Sequence, residues 1–310
     1  MRLVYMGTPH YAATILKRLL TAGYVPDRVY TQPDRPAGRK RRPTPPPVKE
    51  VALDAGIEIV QPEKITAEVR MELEDFAPDL IIVAAYGKIL RPQVLRIPQY
   101  GCVNAHAGQL PAYRGAAPVN WTLVNGETVT AATIMLMDEG VDTGPVLGER
   151  EVPIDPDDDA GSLLEKLATT AGDLMVEILP PYLRGEIKPQ PQPNEGAGYA
   201  PMLSKNDGVI DWGKPAERIV NHIRGMTPWP GAITGWRGKM IKVIQAEQAP
   251  GEGAPGTVLQ AGKELVIAAG SGAVRLRRLQ MQGKNAMLAA AFLNGVSINE
   301  GECFGADQSG

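Results

Sequence analysis

Two cysteines, three histidines and no apolar run near the length of a membrane span set the first limits on this 310-residue chain. Cys102 and Cys303 stand far apart in no metal-like spacing, so neither a zinc site nor a disulfide framework is expected, and a reducing compartment suits them. A bilayer crossing needs roughly 20 apolar residues, and the absence of such a run argues against a membrane partner. The first residues, MRLVYMGTP, lack the basic and long apolar regions of a secretory signal, so a cytoplasmic protein is expected. The turn at Gly7 lacks the G-x-G-x-x-G pattern, which argues against a nicotinamide cofactor. A net charge of −3 argues against indiscriminate nucleic-acid binding but leaves room for a local basic patch. From Asp207 onward 11 Lys and Arg face 9 Asp and Glu, so the tail is mildly basic.

What is present is an alternation of strand-like and helix-like runs. Leu3–Met6, Arg28–Thr31, Ile57–Val60 and Leu80–Ala84 read as strands. ATILKRLLTAG, VKEVALDAG and a run with Val69, Leu73 and Phe76 on one face read as helices between them. This spacing predicts an α/β domain with a doubly wound, mostly parallel sheet over residues 1–189. The Pro-, Gln- and Gly-rich segment that follows predicts a linker over residues 190–207. Beyond it, MIKVIQA, GTVLQA, ELVIAAG and AVRLRRLQM are short strands between glycine turns, which predicts a small antiparallel barrel over residues 208–310.

Chemistry concentrates between Gly101 and Leu147. Residues two apart on a strand share a face, so Asn104 and His106 present a carboxamide and an imidazole side by side. A histidine near a strand end is more often structural than catalytic; here its company raises it. Asp142, 36 positions on in a glycine-flanked loop, suits orientation of the imidazole, and an Asn is an uncharged donor for a developing oxyanion. The three suit acyl transfer to an amine, which needs no protein nucleophile. Cys102 reads as packing. The run DLIIVAAYGKIL is a buried strand whose carboxyl end opens at Ala85, Tyr86 and Gly87, where open α/β sheets take their ligands. His10 reads as a surface residue and His222 as structural.

A second concentration is cationic. Arg35, Arg39, Lys40, Arg41 and Arg42 lie in a Pro/Gly-rich segment stiffened at its base by Pro43 and Pro45–Pro47. A charge run is usually a solvated face. One sign of charge on a proline-stiffened loop within an acidic half also suits a phosphate backbone.

Asn104-x-His106, the turn Leu110-Pro111-x-Tyr113-Arg114-Gly115 and Met137-Asp138-x-Gly140-x-Asp142-Thr143-Gly144 resemble the signature of the folate-dependent formyltransferases. With the basic loop and the tail motifs IRGMTPWPGA and GTVLQAGKELVIAAG, the pattern is most similar to members that act on methionyl-tRNA. The resemblance implies a Rossmann-like catalytic domain, a C-terminal barrel resembling an OB fold, and a monomer without metal. It implies formyl transfer from 10-formyltetrahydrofolate to the α-amino group of methionine on initiator methionyl-tRNA. By the same resemblance Asn104, His106 and Asp142 are catalytic. Ala85, Tyr86, Gly87, Gly108, Gln109, Leu110, Pro111 and Asp138 hold the folate. Arg39, Lys40, Arg41, Arg42, Lys205, Arg275 and Arg277 meet the tRNA. Gly108-Gln109 stands where the family usually has Ser-Leu, which bears on folate affinity and not on the reaction type. Two alternatives remain open: formylation of an amino sugar nucleotide or other small amine, and an RNA-binding protein that kept the fold without the chemistry.

Overall fold

The computed structural model describes residues 1–37 and 42–305. The elements, in chain order, begin with β1 (Leu3–Gly7), α1 (His10–Thr21) and β2 (Arg28–Tyr30). A small hairpin follows, β3 (Arg35–Ala37) and β4 (Arg42–Thr44), and then α2 (Pro47–Asp54), β5 (Glu58–Val60) and α3 (Ala67–Phe76). Next come β6 (Leu80–Ala84), α4 (Pro92–Leu95), β7 (Cys102–His106), β8 (Arg114–Gly115), α5 (Pro118–Asn125), β9 (Val129–Leu136), β10 (Val146–Pro153) and α6 (Ala160–Leu183). The remainder is β11 (Tyr199–Ala200), α7 (Ala216–Met226), β12 (Ala232–Trp236), β13 (Lys239–Ala249), β14 (Val258–Ala261), β15 (Leu265–Ala268), β16 (Ala273–Met281), β17 (Met287–Leu288) and α8 (Ala289–Gly295).

These elements form two compact units: Met1–Gly115 with Val129–Pro153 and Leu164–Tyr199, and Ala116–Thr128 with Ile154–Leu163 and Ala200–Gly310. The first is built on a sheet of order β10-β9-β7-β6-β1-β2-β5. The pairs β2–β5, β1–β2, β1–β6 and β6–β7 are parallel, while β9 and β10 join antiparallel. β1 and β6 are apolar and buried at every position, as strands covered on both faces must be. Between them the winding reverses, the usual place for a ligand crevice in such sheets. Gly7 pairs with Ala84 there, and a Cβ on Gly7 would lie 2.7 Å from that of Ala12.

β10 was not foreseen, because its half-exposed pattern carries three charges in eight residues, Glu149, Arg150 and Glu151. The basic segment, expected as irregular loop, begins and ends in the β3–β4 ladder, with Arg35 opposite Thr44 and Pro36 opposite Pro43.

The second unit contains the antiparallel sheet β12-β13-β16-β15-β14, with β17 pairing with β16 at Arg278 and Leu279, past the stretch that β15 covers. Its core gathers Trp212, Trp236, Phe292 and Phe304, and the buried Trp212 indole N–H donates to Thr234 Oγ1 at 2.9 Å. α5 packs on α7 through Gly225, where a Cβ would lie 2.7 Å from the Asn120 carbonyl. β12 and α8 were not foreseen: Gly235 interrupts the first, and the second is a short alanine-rich turn near the tail.

Candidate active site

β6 ends in an abrupt turn. Ala85 takes a left-handed φ of +42°, uncommon for a residue with a Cβ, and Gly87 follows at +76°. Between them the Tyr86 side chain is buried beside Tyr30, Val83 and Leu90. Its carbonyl accepts Thr8 Oγ1 at 3.0 Å and Gln32 Nε2 at 3.1 Å. Tyr86 thus anchors the turn inward, while Ala85 and Gly87 stay exposed at the sheet's carboxyl edge.

β7 lies beside β6, with Asn104 paired to Val83. Cys102, Asn104 and His106 share one face by alternation. Burial pushes the Cys102 thiol up to about 12, so it packs as a neutral side chain. The Asn104 carboxamide is half-buried and makes no hydrogen bond among the described residues. His106 is buried, and both of its ring nitrogens face oxygens. Nε2 lies 2.8 Å from the Tyr113 carbonyl, and Nδ1 lies 3.6 Å from Oδ2 of Asp142. The Tyr113 carbonyl can only accept, so Nε2 is the donor in that contact.

Two loops bring those oxygens in. The first leaves β7 at Ala107 and returns at β8. Thr133 Oγ1 donates to the Gly108 carbonyl at 2.8 Å, and the Tyr113 amide donates to the Gln109 carbonyl at 3.0 Å. Leu110 and Gly108 are buried under this turn, and Gln109 is exposed. The second loop joins β9 to β10. Asp138 Oδ1 accepts the Gly140 amide at 3.1 Å and Thr143 Oγ1 at 2.6 Å, so this carboxylate shapes the loop from within. At the loop's end a Cβ on Gly144 would stand 1.9 Å from the Leu136 carbonyl, an approach only glycine allows. Asp142 itself sits at φ +51°, and its Oδ2 accepts the Gly115 amide at 2.9 Å. Left-handed residues such as Ala85 and Asp142 cost on the order of 1–3 kcal/mol each and persist where the surroundings impose them.

The structure therefore brings His106 and Asp142 together with Asn104 two residues along, as the spacing predicts, and lines the same edge with Ala85 and Gly87. Arg39, Lys40 and Arg41 lie outside the described residues; Arg42 is exposed on β4, and Lys205 is exposed on a short turn, Lys205–Gly208. Arg275 and Arg277 share the face their spacing predicts, but both are engaged. Each contacts Glu247, at 2.6 and 2.7 Å, and each also faces Glu264, at 3.0 and 3.8 Å. Hydrogen bonds from Arg277 and Arg275 hold the Glu247 carboxyl below its ordinary range. A cleft of about 930 Å³ opens beside Gly87 and is lined by cations, Arg35, Lys64, Arg70, Lys88 and Arg91 among them. Burial lowers the Lys88 ammonium from its ordinary value. No group of three or more metal-ligating side chains occurs among the described residues, and no described helix is long and apolar enough to cross a membrane.

Sequence reasoning missed the partner of Arg114. Its Nε and Nη2 donate to Gln192 Oε1 at 2.9 and 2.8 Å, and Gln192 Nε2 donates to the carbonyls of Asp142 and Gly144 at 2.9 and 2.7 Å. The Pro/Gln composition that marked a linker concealed this side chain; its one available signal was the strict Pro–Gln alternation.

Fold and site together define an α/β enzyme whose polar groups gather at the carboxyl edge of a parallel sheet. The formyl transferase family model matches residues 1–179, and that of the formyl transferase C-terminal domain matches residues 202–297. The chain belongs to the formyl transferase family. Among its relatives, the methionyl-tRNA formyltransferase of Myxococcus xanthus is 46% identical over 97% of this chain and 96% of its own length. That of Caldanaerobacter subterraneus is 45% identical over 97% and 99%. Among solved structures, an N-formyltransferase from Helicobacter canadensis with folinic acid and dTDP-3-aminofucose superposes with a TM-score of 0.68 at 17% identity, over 91% of this chain and 99% of that one. HypX from Aquifex aeolicus with tetrahydrofolic acid gives 0.63 at 19%, over 94% of this chain and 47% of that one. At such identities the likeness is one of fold.

Proposed function

We propose that the chain transfers the formyl group of 10-formyltetrahydrofolate to the α-amino group of methionine on initiator methionyl-tRNA. The observation that carries this reading is the contact of His106 with Asp142 beside the Asn104 carboxamide, which makes no hydrogen bond among the described residues, in a chain whose near full-length relatives are named methionyl-tRNA formyltransferases. The folate lies against Ala85, Tyr86, Gly87 and the Gly108–Pro111 turn, and the loop shaped by Asp138 closes over it. The methionyl nitrogen attacks the formyl carbon, and the carbonyl oxygen gains negative charge. Asn104 Nδ2 donates to that oxyanion, and His106, held by Asp142 at Nδ1, supplies the second donor after its Nε2 exchanges the Tyr113 carbonyl for the oxyanion. The intermediate collapses with cleavage of the bond from the formyl carbon to N10 of the folate. The proton lost by the attacking amine, passed on with help from Asp142, ends on N10. Arg39, Lys40, Arg41, Arg42 and Lys205 carry the RNA contact; Arg275 and Arg277 join it after exchanging their glutamates for phosphate.

The test is formyl transfer from 10-formyltetrahydrofolate to initiator methionyl-tRNA at two salt concentrations, beside an elongator methionyl-tRNA. Product on the initiator alone, falling at high salt, is the expected result. Folate binding without formylation of the tRNA would replace it with the small-amine reading, and absence of folate binding would leave an RNA-binding protein without this chemistry.

A further inference from the structure

Gln192 lies in a stretch that composition marks as a tether, Lys188-Pro-Gln-Pro-Gln-Pro193. Three prolines in alternation withdraw amide donors and fix an extended backbone. Gln190 and Gln192 nonetheless meet one neighbour, the first through its backbone and the second through its side chain. That neighbour is the start of β10 and the loop before it. Gln190 exchanges both backbone hydrogen bonds with Val146 at 2.8 Å, and this isolated bridge fixes the register. Two residues on, the backbone has no such bridge and the Gln192 side chain takes over. It is half-buried between the exposed Pro191 and Pro193.

The amide of Gln192 makes four hydrogen bonds, two accepted from Arg114 and two donated to the carbonyls of Asp142 and Gly144. Guanidinium groups only donate and carbonyls only accept, so one orientation of the amide satisfies all four. The bonded backbone is that of Asp142, the residue held at positive φ whose carboxylate meets His106. From the other side, Arg114 precedes Gly115, whose amide binds that same carboxylate. Gln192 therefore joins the two strand-connecting loops that enclose the imidazole, one through a side chain and the other through its main chain.

We infer that Gln192 is a positioning residue for formyl transfer: it holds the Asp142 loop in its left-handed turn and so sets the Asp142 carboxylate against His106. The inference rests on the catalytic reading of His106 and Asp142. Gln192→Glu is the informative change, because it keeps the shape and the Arg114 contact while removing both donors and turning a carboxylate toward two carbonyl oxygens. Gln192→Met removes all four bonds without that repulsion.

The experiment is single-turnover formylation by the full chain, for both variants, in the natural background and with Asp142→Asn, with thermal unfolding alongside. Misplacement of a reacting group by about 1 Å can cost on the order of 10²-fold. Gln192→Glu is expected to slow turnover by roughly 10–100-fold with the melting temperature and folate affinity held, and Gln192→Met by less. With Asp142→Asn, either change is expected to add less than about twofold, because the group it positions is already gone. Equal losses in both backgrounds, or a loss only in proportion to a falling melting temperature, would overturn the inference. A slow Asp142→Asn enzyme beside an unaffected Gln192→Glu enzyme would overturn it and leave the catalytic reading standing. An unaffected Asp142→Asn enzyme would remove both.

Discussion

Oδ2 of Asp142 faces Nδ1 of His106 at 3.6 Å while it accepts the amide of Gly115 at 2.9 Å. One oxygen thus ties the imidazole to the loop that also supplies the Tyr113 carbonyl on the ring's far side. Asp142→Ala removes the tie and frees the Gly115 amide. The expected outcome is a single-turnover rate lower by roughly 10²-fold with folate affinity nearly unchanged, measured by rapid-quench formylation and equilibrium folate binding.

Asn104 is half-buried, with no hydrogen bond to lose among the described residues. Its replacement by Ala should leave the melting temperature within a degree or two. Turnover should fall by roughly 10²–10³-fold, the usual cost of an oxyanion donor. A kinetic loss below about tenfold would sink the assigned role.

Gly144→Ala places a methyl group where the Leu136 carbonyl already stands, 1.9 Å away. The Asp142 loop must shift, and formylation should fall by about 10²-fold. Gly262→Ala is the control: nothing lies within 4 Å of the added carbon, and the variant should match the parent in the same assay.

How far these residues were legible beforehand differs by kind. The parallel strands announce themselves because β1 and β6 are apolar at every position, and periodicity two places Asn104 beside His106. Asp142 was found through its glycine-flanked motif, although nothing in its spacing reveals a positive φ. β10 escaped because its exposed charges mimic a loop. Gln192 escaped because a proline-rich composition looks the same whether the segment floats or is pinned. The pairing of Arg275 and Arg277 with Glu247 and Glu264 depends on which strands become neighbours, and local pattern does not determine that.

His222 gives a pH dependence of stability. Burial lowers its imidazole below the ordinary histidine value, and its Nε2 lies 2.7 Å from the Asp207 carbonyl. The unfolded chain takes up its proton near 6.5 while the folded chain resists, so stability is full above that pH and falls as pH drops through it. Urea unfolding at pH 7 and pH 5 should show a smaller loss in His222→Gln than in the parent.

The two thiols should separate by access. Cys303 is exposed, and Cys102 is buried with its thiol pushed up to about 12. Iodoacetamide at pH 8 should label one equivalent in the folded protein, mapped by peptide mass to Cys303, and two after denaturation. Early labelling of Cys102 would show that β7 opens locally.

The bridge of Gln190 to Val146 and the four bonds of Gln192 change where this enzyme can be cut. A fragment ended at residue 189, where composition begins to look like a tether, would discard the lacing of its own acid. A transplant of the Asn-His-Asp site onto another carrier must bring the Pro-Gln strand with it. Gly198 is pinned in turn, its amide to the Pro111 carbonyl at 3.0 Å and its carbonyl to the Arg114 amide at 3.3 Å, so a catalytic unit cut for joining to other modules must keep its chain through Tyr199.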